Sequence, residues 1–174
     1  MAYYKIANVD VATATSSITF SSIPSTYTDL FIITNEKSAN TATVYNTIVT
    51  NGPTNYHNAW TGTRLGSPTG GAANNAASGR YAIQGDSGSA FGNSTIYISN
   101  YSNTSNKVGF TFSTGASQNF PVDVDTWAAC FELTTTTTAG ITTITLAQGA
   151  STFSVGSNFT LYGILKGSGG GTIS

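Results

Sequence analysis

The sequence predicts an all-β fold, a single jelly-roll-like β-sandwich of about nine to eleven strands. Three observations carry this. Charged residues are 7% of the 174-residue chain, against roughly 25% in an ordinary soluble domain, while Thr, Ser, Asn and Gly supply close to half of it. Short β-branched and aromatic runs alternate with polar residues at period two, the mark of a half-buried strand. Small polar turn clusters separate these runs, and no helical pattern exceeds two turns.

Taken in order, the first strand falls at 3–11, with Tyr3, Tyr4, Ile6, Val9 and Val11 and little charge. Over 16–23, Ile18 and Phe20 alternate with Ser17, Thr19 and Ser21, before the turn Ile23-Pro24-Ser25. At 28–35 the run Leu30-Phe31-Ile32-Ile33 is continuous, which predicts a strand covered on both sides. Strands follow at 42–50, ended by Asn51-Gly52-Pro53, and at 56–65. Residues 66–79 show no strand pattern and read as a long functional or mobile loop. Further strands fall at 80–84, 93–101 and 106–114. In the last of these, Val108, Phe110 and Phe112 alternate with Lys107, Gly109, Thr111 and Ser113, predicting one apolar, half-buried face. Over 122–136, Trp127, Ala129, Phe131 and Leu133 share a parity with Asp123 and Asp125, so a bulge near Asp125 would reset the faces. Strands at 141–147 and 158–166 complete the set, separated by a turn at Gln148-Gly149-Ala150.

Residues 1–174 read as one domain without internal repeats, long enough to bury a core unaided. The nine Phe, nine Tyr and two Trp supply that core and argue against disorder. The single Cys130 excludes an internal disulfide, and its place in a strand predicts a small packed side chain. A net charge of −1 and dispersed basic residues give no attraction for nucleic acid or an anionic membrane. No run approaches the roughly 20 apolar residues of a membrane span. The opening residues lack signal-peptide features, so synthesis in a cytoplasm without export is expected.

Few residues could carry chemistry, and no enzyme, cofactor or metal is expected. Asp123 and Asp125 could hold a cation or act as an acid–base pair, yet no third ligand accompanies them and they equally suit a solvated strand end. His57 would need a nucleophile and a carboxylate that nothing in the sequence brings to it. The glycines at 66, 70 and 71 precede no Lys-Ser/Thr and form no phosphate loop. The cluster Tyr56, His57 and Trp60 is a candidate glycan or partner contact; the plainer reading is that Trp60 plugs the sandwich end with Tyr56 packed on it.

The segments Ser21-Ser-Ile-Pro-Ser-Thr-Tyr-Thr-Asp-Leu30, Gly92-Asn-Ser-Thr-Ile-Tyr-Ile-Ser-Asn-Tyr101, Ile141-Thr-Thr-Ile-Thr-Leu-Ala147 and Phe159-Thr-Leu-Tyr-Gly-Ile164 resemble small β-rich virion structural proteins of tailed bacteriophages of cyanobacteria and marine bacteria. The resemblance spans residues 16–166 and rests on core-strand and turn motifs. It implies an architectural role on a virion, foremost a capsid decoration or cement protein that binds the major capsid protein lattice. The alternative is a tail-fibre, receptor-binding module for host glycans. A homo-oligomer, with a trimer favoured, is expected. Tyr3, Tyr4 and Ile6 are candidate inter-subunit contacts, with 1–11 and the glycine-rich 167–174 as arms clamped by neighbours.

Overall fold

Alternation becomes pairing along most of the chain. In the computed structural model, residues 2–39, 44–51, 56–64, 67–84, 91–116, 124–133, 140–149 and 151–166 are described. They contain twelve strands: β1 (Ala2–Asp10), β2 (Ser17–Phe20), β3 (Asp29–Glu36), β4 (Val44–Thr50), β5 (Tyr56–Arg64), β6 (Ser67–Ala76), β7 (Gly79–Gln84), β8 (Gly92–Ile98), β9 (Lys107–Ala116), β10 (Val124–Leu133), β11 (Ile144–Gln148) and β12 (Asn158–Leu165). All pair antiparallel, in an eight-stranded sheet ordered β1-β12-β3-β8-β9-β10-β5-β6 and a four-stranded sheet ordered β2-β11-β4-β7.

The two sheets share one apolar core. The small sheet contributes Ile18, Phe20, Ile48, Tyr81, Ile144 and Leu146, and the large sheet Leu30, Ile32, Ile96, Phe159 and Leu161. Within each strand these positions are two apart, so the pleat sends them to one side while Thr, Ser and Asn face away. Phe153, between β11 and β12, is fully buried and meets Phe159 edge-to-face at 4.8 Å. A polar cluster interrupts the apolar core: the buried carboxyl of Glu36 accepts from Tyr81 Oη at 2.8 Å and from Ser94 Oγ at 3.2 Å.

Three expectations are corrected. Residues 67–76 form β6, a strand paired along β5, where a loop was expected. Ser-Pro-Thr-Gly-Gly-Ala-Ala-Asn-Asn-Ala has no apolar alternation because an edge strand with little beneath it is held by its backbone ladder. In β3, Leu30 and Ile32 are buried but Ile33 is exposed, so this strand is covered on one side only. The N-terminal segment forms the expected strand, Ala2–Asp10, paired with Asn158–Leu165 at the edge of the large sheet. Tyr3 and Tyr4 remain exposed on it, Tyr3 against Phe31 and Tyr4 against Tyr27, while Ile6 is half-buried and packs on the core. Cys130 is exposed, where a packed side chain was expected. The tail 167–174 and Asp123 lie outside the described residues.

Candidate partner-binding face

The far half of the large sheet, β9-β10-β5-β6, reaches the main core through Tyr56 of β5, with Ala76 of β6 packed against it. β7 packs beneath β9 and β10 on the inner side. The residues of β9 that point inward are Lys107, Gly109, Thr111 and Ser113, all buried. Three of these four are small, which lets β7 come close. Thr111 Oγ1 donates to the Tyr81 carbonyl. Lys107 Nζ reaches back to the carbonyls of Asn103 and Ser105 and ties down the β8–β9 turn; desolvation lowers its pKa.

The pleat then forces the apolar set of β9 outward. Val108 is 50% exposed, Phe110 44% and Phe112 56%. The expected half-buried apolar face is thus inverted: β9 buries its polar side and offers its aromatic side to the outside. A strand built this way is the informative kind of exposure, since scattered surface apolar residues mean little and a contiguous patch marks an interaction site.

Register places this strand in a larger uncharged field. One row across the sheet runs Phe31, Tyr97, Phe110, Cys130, Ala59, Ala72. The next runs Ile33, Thr95, Phe112, Ala128, Thr61, Gly70, and the third runs Asn35, Asn93, Thr114, Thr126, Thr63, Pro68. None of these residues carries a charge. The third row is linked by side-chain hydrogen bonds, Asn35 to Asn93 at 2.9 Å and Thr63 to Thr126 at 2.9 Å. Phe110 and Phe112 stand edge-to-face, centroids 4.6 Å apart, as a ridge. Beside the ridge lie two shallow troughs of about 430 Å3 and 340 Å3 with small residues such as Thr61, Ala59 and Ala128 along them.

The Tyr56, His57, Trp60 cluster does not form one surface. These residues alternate along β5, so Tyr56 and Trp60 turn inward and His57 outward. Tyr56 is fully buried and its hydroxyl accepts from the Thr50 amide at 2.9 Å, which withdraws it from any ligand. Trp60 is half-buried, with the Arg80 guanidinium 4.5 Å from its ring centre, and Arg80 also lies 4.4 Å from Tyr45. The backbone of Gly71 closes on the same indole, where a Cβ would stand 2.7 Å from Cζ2. Trp60 packs with Tyr45 and Ala129, apart from the main core that holds Tyr56. His57 Nδ1 pairs with Asn74 Oδ1 at 3.0 Å. The field around Phe110 and Phe112 was missed as a surface because alternation reveals two faces without saying which is inside.

At the end of this sheet sits the sheet's ion pair. Asp29 is fully buried and meets Lys166 Nζ at 2.9 Å, the Asn100 amide at 2.9 Å and the Tyr97 hydroxyl. Burial by itself would raise the Asp29 pKa, but the hydrogen bonds from Tyr97, Asn100 and Lys166 outweigh it and hold the carboxylate below its ordinary value. Asn100 adopts a positive φ of 49°, tolerable for Asn, to aim its amide at this carboxylate. Among the described residues no cluster of three or more His, Cys, Asp or Glu occurs. No protein-family model, no curated protein and no solved structure matches this chain.

Proposed function

We propose that this chain is a virion structural protein of a tailed bacteriophage, a jelly-roll sandwich that decorates the outer face of the capsid and binds the major capsid protein lattice. The observation that carries the reading is the inverted strand β9, which spends its aromatic side chains on an outward face whose rows through Phe110, Phe112 and Thr114 hold no charged side chain, with Glu132 beside Val108 at their border. A face like that has a free-energy reason to be covered, at about 25 cal/mol per Å2 of apolar area removed from water. It suits a subunit that spends its life against neighbours. The strand orders support the architecture. Orders β1-β12-β3-β8 and β2-β11-β4-β7 are those of an eight-stranded jelly roll, a shell-building fold, with the pairs β5–β6 and β9–β10 inserted to widen one sheet. The sequence resemblance to phage virion proteins points the same way, and the scarcity of ionisable groups suits a role without turnover.

The test is reconstitution. Purified chain is added to capsid shells of the phage that encodes it, prepared without this protein, and bound copies are counted after sedimentation. Saturation at a number commensurate with the shell lattice, together with greater heat resistance of the shells, is expected. No binding to shells, with specific adsorption to host-cell glycans instead, would replace decoration by a receptor-binding tail module.

A further inference from the structure

We infer that the outward face centred on Phe110 and Phe112 is a homotypic interface, on which a second copy of this chain packs face to face about a two-fold axis. The inference rests on the reading above that this face is covered in the working assembly, and it names what covers it.

Three features of this face select a second copy. The first is charge. Three successive cross-strand rows, from β3 to β6, hold no side chain charged at neutral pH, and Glu132, opposite Val108, borders them on one side. A partner meets that field without stranding its own charges only if its surface is also uncharged, and burying unpaired charge is costly. Ordinary protein surfaces are rich in Lys, Glu, Asp and Arg, whereas only 7% of this chain is charged. The chain's own face is the uncharged surface that is always at hand. The second feature is shape. The Phe110–Phe112 ridge on β9 runs beside troughs along which small residues of β10 and β5 lie. A two-fold axis between ridge and trough sets each copy's ridge into the other's trough, so one surface supplies both the knob and the hole. Two sheets packed this way sit about 10 Å apart, the spacing at which side chains interdigitate. The third feature is closure. A face that packs on its own copy is consumed by one partner, so the contact ends at a pair and does not propagate into fibres.

Cys130 lies in the same cross-strand row as Phe110 and is the chain's single cysteine, so it reports on this face directly. The full chain is studied by sedimentation between about 1 and 100 µM, the range in which a modest homodimer assembles, and in parallel by the rate at which Cys130 reacts with a bulky maleimide. A monomer–dimer equilibrium is expected, with Cys130 labelling slowed at least about tenfold in the associated form by steric exclusion. Phe112→Ser should abolish both effects, while Val49→Ser, an exposed residue on the other sheet, should alter neither. Both sites are exposed, and a thermal melt of each variant checks that it folds. A chain that stays monomeric throughout, a dimer whose Cys130 labels at the monomer rate, or a trimer would each overturn the inference. A monomer that still saturates capsid shells would sink this interface and leave the decoration reading standing; a protected dimer that ignores shells would do the reverse.

Discussion

The Tyr81 hydroxyl on the small sheet donates to the Glu36 carboxyl on the large sheet at 2.8 Å, a polar bond across an otherwise apolar core. Burial dominates Glu36 and raises its pKa from 4.5 to about 7, against hydrogen bonds from Tyr81, Asn46 and Ser94 that pull it down. Burial and then the nearby Glu36 push the Tyr81 hydroxyl upward in turn.

The folded chain therefore keeps a proton on Glu36 that the unfolded chain releases. Stability is full below about pH 4.5, falls as pH rises toward 7 and is level above it. Glu36→Gln should remove that fall, with a difference between the two proteins' pH profiles on the order of 2–3 kcal/mol. Urea unfolding at pH 4.5, 6 and 8 reads it, and parallel profiles for wild type and variant would refute the assignment.

Asp29 behaves in the opposite sense. Its folded pKa is depressed below 3.8, so its contribution is present at neutral pH and is lost as the pH falls below that value. Asp29→Ala leaves the Asn100 amide and the Tyr97 hydroxyl without this acceptor, at an expected cost of about 2–4 kcal/mol. Lys166→Met should cost far less than Asp29→Ala, because the ammonium is half exposed and water screens it. Equal losses for the two variants would show that the ion pair outweighs the hydrogen bonds.

Gly163 of β12 lies against the ring of Tyr27, and a Cβ placed there would stand 2.2 Å from the ring's Cδ2. Gly163→Ala should lower stability by about 1–3 kcal/mol through overpacking, read as a fall in melting temperature of about 2–4 °C per kcal/mol for a chain of this size. The double variant Gly163→Ala/Tyr27→Ala should recover part of the Gly163→Ala loss relative to Tyr27→Ala alone. Simple additivity would mean that the ring does not impose the glycine.

Arg80 stacks on both Trp60 and Tyr45. Its removal by Arg80→Ala should cost about 1–2 kcal/mol, since two partly desolvated ring contacts and the packing of the aliphatic stem are lost together. Arg80→Lys should recover only part of that, because an ammonium lacks the flat guanidinium that stacks. Chemical denaturation of the three proteins measures it; a neutral Arg80→Ala would mean the stack is incidental.

Much of the architecture was legible in the chain itself. Eleven strands were legible near their observed places because period-two alternation or a short continuous apolar run, bounded by turn chemistry, is a property of adjacent residues. Strand β6 was not, since Gly70, Gly71, Ala72 and Ala73 carry no alternation and their ladder on β5 is a backbone matter. Two-sided cover for β3 failed for a related reason: a continuous apolar run shows that both faces can be apolar, not that both are covered.

Which face of β9 is inside was a question only tertiary structure could decide. Alternation marks Val108, Phe110 and Phe112 as one set, and it equally marks Trp127, Ala129, Phe131 and Leu133 on β10. The register pairs Phe110 with Cys130 and Thr111 with Ala129, so Phe110 and Ala129 fall on opposite sides of one sheet and cannot both turn inward. Ala129 and Thr111 are buried and Phe110 and Cys130 exposed, because β7 occupies the inner side and small residues admit it. The chain alone determined strands, turns and a charge-poor composition; pairing across distant strands determined which aromatic side chains face outward, since a pleated strand has two faces and only its neighbours distinguish them.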